Sequence, residues 1–188
     1  MNELPPIRRD VSVSWDQSAA FRRFTSEFAT WWPWRTHSVG GKRVKRLVFE
    51  CRPGGLIFEE HIDGRRFQWG RVLEYDAPQS VRFTWHPSRP EATAQEVEMR
   101  FTPDGTGTRV VLISDKWEKW GKNAHRARKG YGIGWGYVLN VWAEKRTAKM
   151  AVLDGLTLLV RGIELARGGT KASIARAGGE IAAGSAVQ

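Results

Sequence analysis

The chain has 188 residues, 41% hydrophobic and 27% charged, with a formal net charge of +10. That length favours one domain with a sizeable core, and that composition excludes wholesale disorder. The single cysteine, Cys51, excludes an intrachain disulfide framework and a cysteine-based metal site.

The positive charge is scattered, with only mild clusters at 42–46 and 116–129 and no groove-reading motif. It describes a basic surface, and no specific nucleic-acid partner is expected. The segment MNELPPIRRD lacks the apolar core of a signal peptide. The apolar stretch 156–160, interrupted by Thr157 and bracketed by Asp154 and Arg161, is too short for a membrane span. The expected location is the cytoplasm.

In chain order, Ile7, Val11, Val13 and Trp15 share one face of a first strand. Asp16 can cap a helix that follows, and Ala19, Ala20, Phe21, Phe24 and Phe28 give helical spacing over 16–29, as one helix or two. The Trp31-Trp32-Pro33-Trp34 stretch ends it, because proline cannot continue a helix. Short strands separated by turn signals then predict an antiparallel meander: 44–51, 56–62, 65–75, 81–86, 95–102 and 109–116. Asp63-Gly64 is the clearest hairpin signal among them.

The last strong element is a helix over 124–147, with Tyr131, Trp135, Val138, Leu139 and Trp142 on one broad stripe. Gly130, Gly132, Gly134 and Gly136 lie within it, although glycine costs ~1 kcal/mol relative to alanine in a helix. Either the helix is irregular there or a neighbouring surface approaches closely. Residues 148–188 contain no aromatic residue and seven glycines. A marginal helix over 150–166 and a disordered remainder are expected.

Four stretches in this order resemble the SRPBCC (START-like) superfamily, in its bacterial branch similar to the activator of heat-shock-protein-90 ATPase. The first is Trp31-Trp32-Pro33 with His37-Ser38-Val39-Gly40. The second is Pro53-Gly54-Gly55 with Glu59, Asp63-Gly64 and Trp69-Gly70-Arg71-Val72. The third is Pro78 with Phe83-Thr84-Trp85-His86-Pro87. The fourth is Trp117 and Gly121 with Arg128, Tyr131, Gly134-Trp135 and Val138-Leu139. Lys116 stands where the pattern has a small or polar turn residue such as glycine. The resemblance implies an α+β helix-grip fold: a curved sheet of six or seven antiparallel strands wrapped around a long C-terminal helix, with a two-helix N-terminal insertion. It covers a domain at 1–147 and leaves 148–188 as a tail.

A cavity between sheet and C-terminal helix follows from that fold, and superfamily members bind apolar small molecules there. All ten tryptophans lie between Trp15 and Trp142. Strand alternation groups Phe58 with Glu60, Trp69 with Arg71, and Phe83 with Trp85. The expected ligand-binding set is therefore Trp32, Phe58, Glu60, Trp69, Arg71, Phe83, Trp85, Tyr131, Trp135 and Val138. Arg71 and Glu60 form a possible pair for a polar head, unless Arg71 snorkels into solvent.

No metal site or cofactor is expected, since His61 and Asp63 do not make a ligand set and no phosphate loop follows a strand. The expected function is binding of a hydrophobic or amphipathic small molecule. A cyclase- or hydrolase-type enzyme using the same cavity, with Arg71, Glu60 and His37 as its polar groups, is one alternative. A co-chaperone-like interaction module using the basic surface is the other. The oligomeric state is open, a dimer included.

Overall fold

Ile7, Val11 and Val13 turn inward from the first strand, β1 (Ile7–Val13), and their neighbours face solvent. The structure is a computed structural model that describes residues 4–145 and Val152. Asp16 caps the next helix, α1 (Gln17–Phe24), its carboxylate accepting from the Ala19 N–H at 2.8 Å. The segment expected as one helix or two short ones makes two, α1 and α2 (Phe28–Trp31), and a further short helix, α3 (Trp34–His37), follows beyond it. Pro33 closes α2 and, at the N-cap position, opens α3, where its missing N–H costs nothing.

The meander follows as β2 (Val44–Phe49), β3 (Leu56–His61), β4 (Arg66–Asp76), β5 (Ser80–Trp85), β6 (Gln95–Asp104) and β7 (Gly107–Asp115). Its turns use the expected residues; Gly64 and Gly105 sit at φ +83° and +61°. The strands form one antiparallel sheet in the order β1-β7-β6-β5-β4-β3-β2. β4 carries register shifts against both neighbours, near Trp69–Gly70 and at Leu73. These bulges curl the sheet and reset its alternation. Gly70 is required at the first, since any Cβ there would overlap the Thr84 carbonyl.

The last helix, α4 (Ala124–Trp142), lies in the concavity, as a helix-grip fold requires. It ends before the expected 147. The Glu144 N–H bonds the Val141 carbonyl and the Lys145 N–H bonds the Asn140 carbonyl, with Glu144 left-handed at φ +58°. This is a Schellman stop without its usual glycine, so the sequence gives no sign of it. Apart from Val152, the expected tail, including the helix expected over 150–166, lies outside the described residues.

The space between sheet and α4 is largely filled. Phe24, Phe28, Trp32, Trp69, Phe83 and Trp142 are buried and interlock edge-to-face or tilted. Among the described residues no helix is long and apolar enough to cross a membrane.

Candidate functional site

One end of this packing stays open. A cleft of about 660 Å³ lies between the N-terminal half of α4, the segment after β5 and the stretch from Trp32 to Val39. Its aromatic wall is continuous: Trp85 packs 5.3 Å from both Trp32 and Trp135, centroid to centroid. Tyr131 and Trp120, 5.7 Å apart, extend the wall toward the mouth.

Each wall has a local cause. On α4, Ala127, Tyr131, Gly134, Trp135 and Val138 recur at helical spacing and so share a face. The four glycines divide between two faces. Gly132 and Gly136 lie against Arg9 of β1, whose guanidinium donates to the Gly132 carbonyl at 3.0 and 3.2 Å. Gly130 and Gly134 line the cleft. The Trp32–Val39 wall is fastened at both ends. The Trp32 indole donates to the His37 carbonyl at 2.8 Å, and the Glu59 carboxylate accepts from the Val39 and Gly40 N–H groups at 2.9 and 2.6 Å. The His37 ring stacks on Tyr137 at 4.7 Å.

Polar groups gather at the mouth. Arg89 lies over the Trp120 ring at 3.7 Å, a cation–π contact, and Arg126 projects from the first turn of α4. Burial pushes the Tyr131 phenol up, with Gln95 and the Arg89 cation pulling the other way. Tyr131 therefore stays protonated around neutral pH. No carboxylate lines the cleft among the described residues, and none of them form a cluster suited to a metal ion.

Of the residues expected to bind ligand, Trp32, Trp85, Tyr131, Trp135 and Val138 come together in the cleft. Trp69 and Phe83 stand behind that wall, 5.4 and 5.9 Å from Trp85. Phe58, Glu60 and Arg71 do not reach it. The inner face of β3 carries Ile57, Glu59 and His61, so Phe58 and Glu60 point outward. Glu60 binds Lys45, Arg46 and Arg66 at 3.4, 2.8 and 3.1 Å, which rules out the Arg71–Glu60 pair. Beyond the bulge at Gly70, Arg71 is exposed and donates to the Gly54 carbonyl at 2.9 Å.

Alternation misled here because two ionisable side chains occupy an inner face. His61 Nε2 pairs with Glu59, whose carboxylate also accepts from the backbone of Val39–Gly40, which offsets much of the penalty for burying them, although His61 Nδ1 has no partner among the described residues. Arg89, Trp120, Asn123 and Arg126 had no sequence signal as cleft residues, since loop and helix-edge positions follow no strand period.

A family model described as "Activator of Hsp90 ATPase homolog 1-like protein" matches residues 16–141. Among solved structures, an anthrahydroquino-gamma-pyrone synthase, Txn09, in its complex with SUM, shares 34% identity at a TM-score of 0.54, over 78% of this chain and 100% of that one. A protein of Nitrosomonas europaea (18% identity, TM-score 0.55, 77% and 96% covered) shares the fold. So does the Aha1 dimer of Colwellia psychrerythraea (10% identity, TM-score 0.51, 77% and 100% covered). No curated protein matches the chain significantly. With the helix-grip sheet, the helix in its concavity and a family match spanning nearly the whole described region, the chain belongs to the Activator of Hsp90 ATPase homolog 1-like family.

Proposed function

We propose that the chain binds a hydrophobic or amphipathic small molecule in the cleft beside α4. The observation that carries this reading is the cleft itself: about 660 Å³, walled by Trp32, Trp85, Trp120, Tyr131 and Trp135. That volume lies in the range of small-molecule sites, which are mostly apolar with a few placed polar groups. Trp120 and Tyr131 are only half-buried, and an apolar ligand that displaces water from their faces gains favourably. The likeness to Txn09 supports the reading, because that protein is a synthase of a fused-ring product.

The test is intrinsic tryptophan fluorescence, titrated with fused-ring aromatics and fatty acids on protein shown to be folded. Saturable quenching is expected, weakened by about tenfold in Trp135→Ala, the effect of losing an aromatic anchor. If no compound in the panel perturbs the folded protein, the reading fails.

A second reading, a cyclase-type enzyme in the same cleft, is favoured by His37 and Tyr131, an imidazole and a protonated phenol in its lining. It is tested by following ring closure of an aryl polyketone by absorbance with wild type and His37→Ala.

A further inference from the structure

We propose that the cleft selects an anionic, flat fused-ring molecule, with its rings against the Gly130–Gly134 face of α4 and its negative group held by Arg89 and Arg126. This rests on the small-molecule reading above and names its ligand class.

The first observation is an excess of donors. Three buried polar atoms of cleft-lining residues have no hydrogen-bond partner among the described residues: Arg89 Nε, Trp120 Nε1 and Trp135 Nε1. All three are N–H donors, and Trp135 is only 3% exposed. Indole N–H groups without a partner also occur away from the cleft, at Trp31, Trp69 and Trp142, but those of Trp120 and Trp135, with Arg89 Nε, belong to its lining, where an occupant rich in acceptors could satisfy them.

The second observation is charge. Arg89 and Arg126 make no ion pair with any described residue, and the cleft offers them no carboxylate. Several cations elsewhere have carboxylate partners: Arg82 bonds Glu74 and Glu96, Arg100 bonds Glu98, and Glu60 gathers Lys45, Arg46 and Arg66. Arg89 is held against the Trp120 face, so its guanidinium is oriented in advance. A guanidinium over an aromatic wall suits a carboxylate or phenolate joined to a ring.

The third observation is the shape of α4. A Cβ added at Gly132 or Gly136 meets the Arg9 side chain at 3.3 or 3.6 Å, so strand β1 accounts for those two. A Cβ at Gly130 or Gly134 meets nothing within 4 Å, so packing within the chain gives no reason for glycine there. Glycine is also the poorest helix former after proline. These positions, one helical turn apart on the cleft face, leave a bare strip of backbone in the lining that also holds Trp85 and Trp32. A flat ring system can lie on such a strip where a bulkier skeleton cannot.

Two probes of one skeleton test the idea: anthraquinone-2-carboxylate and the neutral 2-methylanthraquinone, titrated by tryptophan quenching. The carboxylate should bind about tenfold or more tighter, the usual scale of a hydrogen bond to a charged group. Arg89→Gln and Arg126→Gln should each reduce that preference. Arg8→Gln, an equal charge change at an exposed position on the outer face of β1, should keep it. Gly134→Leu should weaken both probes by about tenfold with no fall in Tm, since leucine favours the helix more than glycine does; Gly134→Ala repeats the test with a smaller group.

If neither probe binds folded wild type, the small-molecule reading itself fails. If both bind equally, or if Arg8→Gln erases the preference as fully as Arg89→Gln does, anion selection is overturned while the binding cleft stands. Unchanged affinity in Gly134→Leu overturns the placement of the rings.

Discussion

Glu59 and His61 lie side by side on the inner face of β3, both fully buried, with His61 Nε2 2.5 Å from Glu59 Oε1. The same carboxylate accepts from the N–H groups of Val39 and Gly40, so one buried pair ties the sheet to a wall of the cleft. Gly40 lies flat on the imidazole, and a Cβ there would overlap the ring. The Phe67 ring also packs against the imidazole, 4.4 Å away centroid to centroid.

Glu59→Gln should lower stability by about 2–4 kcal/mol, because an amide nitrogen would face backbone donors where an anionic acceptor now stands. Urea unfolding checks this. Gly40→Ala should be destabilised as well, and both variants should bind cleft ligands more weakly. A Glu59→Gln protein with an unchanged midpoint would show that the pair does not hold the wall.

Glu60 gives a pH prediction. The Arg46 guanidinium beside it, helped by Arg66 and Lys45 and opposed by burial, lowers its carboxyl from 4.5 to about 2. A carboxylate depressed in the fold stabilises when ionised, so its contribution is complete above the ordinary range and is lost as pH falls through about 2. Stability measured from pH 5 downward should therefore decline more gently in Glu60→Gln than in wild type over that window. Parallel acid limbs would contradict it.

Lys116 adopts a left-handed conformation, φ +66°, immediately before Trp117. A side chain there costs roughly 1 kcal/mol or more, which glycine avoids. Lys116→Gly should raise Tm by a few degrees for a domain of this size. Thermal unfolding of the two proteins decides it, and a lowered Tm would show that the lysine side chain contributes more than its strain removes.

Trp69 and Trp135 should separate stability from binding. Trp69 is fully buried behind Trp32 and Trp85, so Trp69→Ala should lose about 3–5 kcal/mol of stability. Trp135 also lines the cleft, and its removal should cost binding beyond any loss of fold. Affinities compared on folded protein at low temperature provide the check; equal binding losses in both variants would make Trp69 part of the site.

The segment 148–188 is proposed to be a tail outside the domain, since it has no aromatic residue and falls beyond the family match. Deleting it should leave Tm within a few degrees. A protein that no longer folds after that deletion would place part of 150–166 in the core.

The sequence by itself determined the elements and their order. Alternation in 7–13, the Asp16 cap, Asp63-Gly64 and the aromatic stripe of α4 are signals carried by residues close in the chain, and each element formed where its signal lay. The family pattern supplied the way they assemble, and with it five of the cleft residues: Trp32, Trp85, Tyr131, Trp135 and Val138. The tertiary structure alone decided which strand faces turned inward. A bulge at Gly70 flips Arg71 outward, and the partners that let Glu59 and His61 be buried come from a loop some twenty residues earlier in the chain. It also decided the mouth of the cleft. Arg89 and Arg126 meet there because a loop after β5 and the first turn of α4 end in the same place, a juxtaposition that no local period encodes.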